Sequence, residues 1–151
     1  MAIAPNTTFV SGAILTAAQQ NAFGFGVVGY TEITTNTNNF STIGTIISAT
    51  FTAIANRYYK ITYFERYLLG NGGVTQVTLT IANTALTALQ ESVVYTSTTN
   101  GISCIAMTVE TFTAGSQTIN ARLTSTGGTN STAGRAATSP AFLLIEDIGP
   151  A

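Results

Sequence analysis

The chain has 151 residues, of which only five are Lys or Arg and six Asp or Glu, and it contains neither histidine nor tryptophan. Charged residues make up 7% of it, against about 25% in ordinary soluble domains. Most side chains that serve as general bases, metal ligands or activators of nucleophiles are therefore missing, which argues against an enzyme, a metal requirement or a bound cofactor. A formal net charge of −1 offers no cationic surface to neutralise phosphates, so nucleic acid is excluded as a partner. The same low charge does little to keep copies of the chain apart.

The N-terminal MAIAPNTTFVSG has no basic n-region and no continuous apolar h-region, so a secretory signal is not expected. Apolar runs reach about five residues, as at 141–145, far below the ~20 of a spanning helix, and no membrane partner is expected. Pro5-Asn6 and Thr7-Thr8 suggest an extended arm and Ser11-Gly12 a turn. Thr16 with Gln19 forms a capping box, Leu15 and Phe23 flank an Ala/Gln-rich stretch, and Gly24 can close it. This predicts one short helix. An isolated helix under about 12–15 residues is marginal in water, so it must dock. Residues 1–26 are expected to be an arm and helix that anchor, with Leu15, Thr16, Gln19 and Phe23 as contact residues.

From residue 27 the hydrophobic period changes to two. Ile47, Ala49, Phe51 and Ala53 alternate with Ser48, Thr50 and Thr52; Tyr59, Ile61 and Tyr63 with Lys60, Thr62 and Arg66; Val77, Leu79 and Ile81 with Thr78 and Thr80. Residues 102–112 are apolar on both sides, with Ile105, Met107 and Val109 opposing Cys104, Ala106 and Thr108, which predicts a central strand. Ile119, Ala121 and Leu123 oppose Thr118, Asn120 and Arg122, and the last strand, 141–148, is apolar on both faces. Gly70-Asn71-Gly72-Gly73, Asn100-Gly101 and Ala114-Gly115 read as hairpin turns. Ala82 to Gln90 reads as a loop or one helical turn. Ser125 to Ser139, rich in Gly, Ser and Thr, reads as a long loop holding a single charge, Arg135, either ordered by a neighbour or solvated. About eight strands joined by tight turns predict an all-β antiparallel sandwich, jelly-roll-like, over residues 27–151.

Few residues offer chemistry. Cys104 is the only cysteine and alternates with Ile102 and Ala106, as a small buried hydrophobe would. Glu146-Asp147 is the only adjacent acid pair, but strand neighbours point to opposite faces and cannot share a substrate. Arg57, Lys60 and Arg66 interleave with Tyr58, Tyr59, Tyr63, Phe64 and Tyr67. Bases can stack on such a platform, yet three cations are few. A subunit contact using Tyr58, Lys60, Phe64, Arg66 and Tyr67, with Glu65 or Glu32 taking part and Arg135 from the loop, fits the pattern better. No phosphate loop, nucleophile elbow or metal-ligand spacing occurs.

The stretch SGAILTAAQQNAF resembles the short N-terminal signature of small tailed-bacteriophage virion proteins, in which G-x-x-LTAA-x-x-N precedes a β-rich body. RYYKITY at 57–63, AGSQTI at 114–119 and the terminal IEDIGP at 145–150 are similar to the same group. The resemblance implies a non-enzymatic structural protein of a phage particle, assembled in the host cytoplasm and placed on the capsid or in the tail. The chain departs from that group in its poverty of charge, and it ends just after the last motif, so no further distal fibre domain is expected.

Together these features lead us to expect a β-sandwich building block of a virion, decorating the capsid or set in the tail or fibre base. Its partners would be other virion proteins and copies of itself, a homotrimer being favoured. The alternative is a module binding a receptor or host-surface glycan at a tail or fibre tip through the tyrosine-rich strand and the 125–139 loop.

Overall fold

The computed structural model describes residues 26–71, 74–126 and 131–151; the predicted arm and helix, with Leu15, Thr16, Gln19 and Phe23, lie outside the described residues. Ten strands follow one another: β1 (Gly26–Ile33), β2 (Thr37–Phe40), β3 (Gly44–Ala53), β4 (Arg57–Leu69), β5 (Thr75–Ala82), β6 (Ala88–Thr96), β7 (Ile102–Thr111), β8 (Gly115–Thr126), β9 (Ser131–Ala133) and β10 (Ala141–Pro150). They form two antiparallel sheets, as the alternation predicts. In the front sheet β1, β10, β4 and β7 lie side by side, and the far end of β4 also pairs with β9, which carries β2. The back sheet runs β3-β8-β5-β6.

The core lies between the sheets. Ile47, Ala49 and Phe51 of β3, Val77, Leu79 and Ile81 of β5, and Ile119, Ala121 and Leu123 of β8 face Tyr59, Ile61 and Tyr63 of β4 and Leu143 and Ile145 of β10. Each large aliphatic side chain taken out of water contributes about 1.5–3 kcal/mol. Their odd-numbered spacing sets the register, because a one-residue slip would turn every one of them outward.

The turn signals mark reversals correctly but not their kind. None of the three expected hairpins is one: β4 to β5, β6 to β7 and β7 to β8 each cross from one sheet to the other. Glycine-rich turns permit a sharp reversal within a sheet or over the rim of a sandwich. The choice falls to which layer has room for the next strand's buried face. Among the described strands only β5 and β6 are both consecutive and paired. Their turn is the stretch expected as a loop or helical turn: Asn83 N–H donates to Thr87 O at 3.0 Å, Leu86 N–H to Asn83 O at 2.9 Å, and Leu86 sits at φ 62°.

Two further expectations are corrected. Among the described strands β7 pairs with β4 alone and so stands at an edge, although both its faces are apolar. The fifteen residues expected as one loop are partly built: Ser125 and Thr126 end β8, 131–133 form β9, and Ala136 bridges Ser139.

Candidate functional site

Strand β4 organises the site because its two faces do different work. Its odd residues enter the core, while Tyr58, Lys60, Thr62 and Phe64 stand on the outer face of the front sheet. Register places Phe64 between Phe142 and Ile105, Thr62 between Leu144 and Met107, and Lys60 between Glu146 and Val109. On β1, Tyr30 lies opposite Leu144 and Glu32 opposite Phe142. The rings of Phe64 and Phe142 are 5.3 Å apart and those of Tyr30 and Phe142 6.1 Å. Lys60 Nζ reaches Glu146 Oε2 at 2.8 Å, and the Tyr30 hydroxyl donates to Glu32 at 2.8 Å. Ile105 and Met107 are each 54% exposed and Val109 48%. This outer face is a broad apolar surface whose one ion pair is already neutralised.

The outer face of the back sheet is unlike it. Ser48 donates to Asn120 at 2.8 Å, the Thr50 and Thr118 hydroxyls lie 3.0 Å apart, and Thr80 donates to Glu91 at 3.3 Å. Hydroxyl and amide pairs of this kind satisfy one another's polar groups across the strands, and Thr78, Thr80 and Asn120 are themselves buried.

Past Phe64 the strand bulges and the environment changes. Glu65 is fully buried, its Oε1 accepting from the Tyr63 hydroxyl at 2.6 Å and from Arg135 Nη2 at 2.5 Å. Arg135 Nε donates to Glu65 Oε2 at 3.1 Å, and Nη1 to Thr35 O at 3.0 Å and Thr37 Oγ1 at 2.7 Å. The Arg135 backbone N–H donates to Asn36 at 2.7 Å. Arg135 is therefore an internal clamp tying the segment after β9 to β4 and to the β1–β2 connection, not the surface contact its loop-like sequence suggests. Glu65, likewise expected at a contact, is spent on this clamp. No local signal could have paired two residues 70 positions apart.

Burial, and next the negative charge of Glu65, holds the Tyr63 phenol well above its ordinary value of 10.0. Above about pH 10 an unfolded tyrosine loses its proton while folded Tyr63 keeps it, so the folded state binds more protons and stability falls as pH rises. Urea unfolding followed between about pH 8 and 11 should show this decline, and Tyr63→Phe should remove most of it. An unchanged slope in the variant would refute the assignment.

Arg66 and Tyr67 are exposed. With Asn36, Gly134 and Arg135 they line a shallow groove of about 290 Å³. A Cβ on Gly101 would overlap the Tyr67 ring, so glycine there lets the ring pack against the β6–β7 connection. At the opposite end of β4, Arg57 Nε and Nη2 grip the buried Asp147 carboxylate at 2.6 and 2.8 Å. Asp147 points inward and Glu146 outward, as strand geometry requires. Gly149, at φ 124°, accommodates the β10 bulge, and its N–H donates to Asp147 at 3.0 Å.

Of the expected contact residues, Tyr58, Lys60 and Phe64 share the front face, Arg66 and Tyr67 flank the groove, and Arg135 is interior. The apolar character of 102–112 and 141–148 on both sides points to more hydrophobic area than one core uses, with the last strand or the tyrosine-rich strand at an interface, but it does not single out Ile105, Met107, Val109, Phe142 and Leu144 as the outward residues. The six acids are dispersed: Glu32 on Tyr30, Glu65 on Arg135, Glu91 on Thr80, Glu110 on Thr108, Glu146 on Lys60 and Asp147 on Arg57. Among the described residues no three His, Cys, Asp or Glu side chains gather as metal ligands, and no helix is long and apolar enough to cross a membrane. Burial raises the Cys104 thiol above its usual value, leaving it mainly as the less reactive thiol.

No protein-family profile and no curated protein matches the chain. Among solved structures it is similar to the enzymatically active domain of tailspike protein 4 of bacteriophage CBA120, at 13% identity and a TM-score of 0.25. That likeness covers 79% of this chain and 19% of the tailspike chain, so the chain spans about a fifth of the tailspike's length. Overlap so small transfers no role.

Proposed function

We propose that this chain is a non-enzymatic structural subunit of a bacteriophage virion, built into the tail or fibre base or decorating the capsid. The observation that carries this is the meeting of two distant motifs. RYYKITY opens β4, IEDIGP ends β10, and the two strands pair, joined by Arg57–Asp147 inside and Lys60–Glu146 outside. Motifs more than 80 residues apart in sequence thus form one structural unit, as expected if the resemblance to small virion proteins reflects a shared body. Dispersal of the acids, each hydrogen-bonded to a different side chain, supports a role without catalysis. Other virion proteins and further copies of the chain are the partners, a trimer being favoured, and the segment before Gly26 serves as the anchor.

The test is whether the chain is a fixed component of particles. Mass spectrometry of purified particles should find it at constant stoichiometry, and an antibody against it should label one region of the particle by electron microscopy. Its absence from washed particles would overturn the proposal.

The groove beside Tyr67 favours a second reading, a receptor- or glycan-binding module. An exposed aromatic ring, a guanidinium and an amide are groups on which a sugar can stack and hydrogen-bond. A glycan array with the purified chain, compared with Tyr67→Ala, decides between them: binding lost in the variant supports recognition, and no binding leaves the structural role.

A further inference from the structure

We propose that the groove beside Tyr67 binds one sugar unit bearing a carboxylate, with the Tyr67 ring against the sugar and Arg66 paired with the acid. This rests on the recognition reading of the groove, and it names the class of glycan the groove selects.

The groove exists because β4 breaks its alternation. Glu65 pairs with Cys104 and Leu68 with Ile102, so between these pairs β4 carries one residue more than β7. Glu65 and Leu68 are both fully buried, while Arg66 and Tyr67 between them are both exposed. In a regular strand one of two successive side chains would turn inward. The bulge thus sets a cation and an aromatic ring side by side in solvent, which is the use bulges have beside binding sites.

The ring is held before any ligand arrives. A Cβ on Gly101 would overlap its Cδ2, Cε2 and Cζ, and a Cβ on Gly134 would stand 3.0 Å from its Cδ1. Glycine at both positions makes room for it, and the Gly134 N–H donates to Tyr67 O at 2.8 Å. Tyr67 is still 39% exposed. It offers apolar surface with little ordering left to be done, which lowers the entropic cost of binding. At about 290 Å³ the groove lies at the small end of ligand sites and suits one sugar ring.

The open side-chain groups of the groove are donors. Asn36 Oδ1 is taken by the Arg135 N–H at 2.7 Å, which leaves Nδ2 to donate. The Arg135 guanidinium is spent on Glu65, Thr35 and Thr37. Arg66 makes no hydrogen bond or ion pair with any described residue, and each of the six acids has another partner. Only the Tyr67 hydroxyl can also accept. A donor groove with an uncompensated cation calls for an anionic ligand rich in acceptors. A sugar acid supplies each part: a carboxylate for the guanidinium fork, which takes it through two parallel hydrogen bonds, ring hydroxyls for Asn36, and an apolar ring face for Tyr67. A nucleotide strand also joins a ring to an anion, but it brings a phosphate with every unit. Arg57, Lys60 and Arg135 are already neutralised, and Arg122 lies on β8 of the back sheet. One free cation matches one carboxylate.

Calorimetric titration of the full chain with trigalacturonate and its methyl ester, and with sialyllactose and lactose, tests this. At least one acid should bind about tenfold or more tightly than its neutral counterpart, and the pair that shows it identifies the sugar acid. Arg66→Gln should bring that ratio close to one while leaving the neutral ligand's affinity unchanged. Asn36→Asp still accepts the Arg135 N–H but sets a negative charge in the groove, and it should abolish binding of the acid. Tyr67→Ala should weaken acid and neutral ligand alike; if its circular dichroism is altered, Tyr67→Leu keeps the bulk without the aromatic face. Arg122→Gln, on the other sheet, should change nothing. Equal binding of acid and neutral sugar, or of neutral sugar alone, overturns the acidic ligand and leaves recognition standing. An acid preference that survives Arg66→Gln puts the carboxylate elsewhere and also overturns it. Tighter binding of a thymidine trinucleotide than of either acid overturns it in favour of nucleic acid. Binding of none of the four sugars overturns it too, and recognition itself falls only if the glycan array is blank as well.

Discussion

Arg135→Ala is expected to lower the unfolding free energy by about 3–5 kcal/mol, a large fraction of the whole stability of a domain this size. The guanidinium and the Glu65 carboxylate are both fully buried. Removing the cation leaves a carboxylate in the interior with the Tyr63 hydroxyl as its remaining hydrogen-bond donor among those described here. The same substitution releases Thr35 O and Thr37 Oγ1, which hold the β1–β2 connection against the segment after β9. Replacing both partners separates the cost of a stranded charge from the worth of the pair. Glu65→Leu with Arg135→Met should recover most of the loss, because well-packed apolar side chains in place of a buried pair are commonly neutral or stabilising. Urea unfolding of the four proteins at pH 7 forms the cycle. A cost below about 1 kcal/mol for Arg135→Ala would show that water reaches the site.

Phe51→Ala is expected to cost about 3–5 kcal/mol by a different route. Phe51, 4% exposed on β3 of the back sheet, meets Tyr59 of β4 with ring centroids 5.0 Å apart and Phe112 at 5.6 Å. Tyr59 cannot drift into the vacated space freely, since its hydroxyl accepts the Ile54 N–H at 2.8 Å. The void would therefore stay largely open, which is the condition for a high cavity cost. Phe51→Leu keeps much of the volume and should cost less than half as much. Denaturant midpoints with unchanged slopes would establish this; equal losses for Leu and Ala would show that ring stacking, and not volume, carries the contact.

The candidate surface was partly legible. Strand period alone puts Lys60, Phe64 and Arg66 on one face; Lys60 and Phe64 share it in the fold, while Arg66 lies in the bulge beside the groove. Arg135 and Glu65 were expected at contacts and are interior, because a pair 70 residues apart is invisible to any local pattern. The strand at 102–111 is the sharper case. Apolar residues on both sides describe a strand covered twice, and that covering can come from the same chain or from another. Periodicity does not distinguish the two, so the expected central strand is an edge with Ile105, Met107 and Val109 uncovered.

By itself the sequence determined the all-β class, the two-residue period, the inward sets of β3, β4, β5 and β8 and the shortage of reactive side chains. All of these follow from residue type and from neighbours one or two positions away. Only the tertiary structure decided which reversals stay within a sheet, which charges pair in the interior and which of two apolar faces is left bare. Those outcomes depend on strands brought together from 70 to 120 residues apart, as β4 meets β10 and β1 meets β10. The core between the sheets selects that arrangement because it is the one that buries every inward face at once.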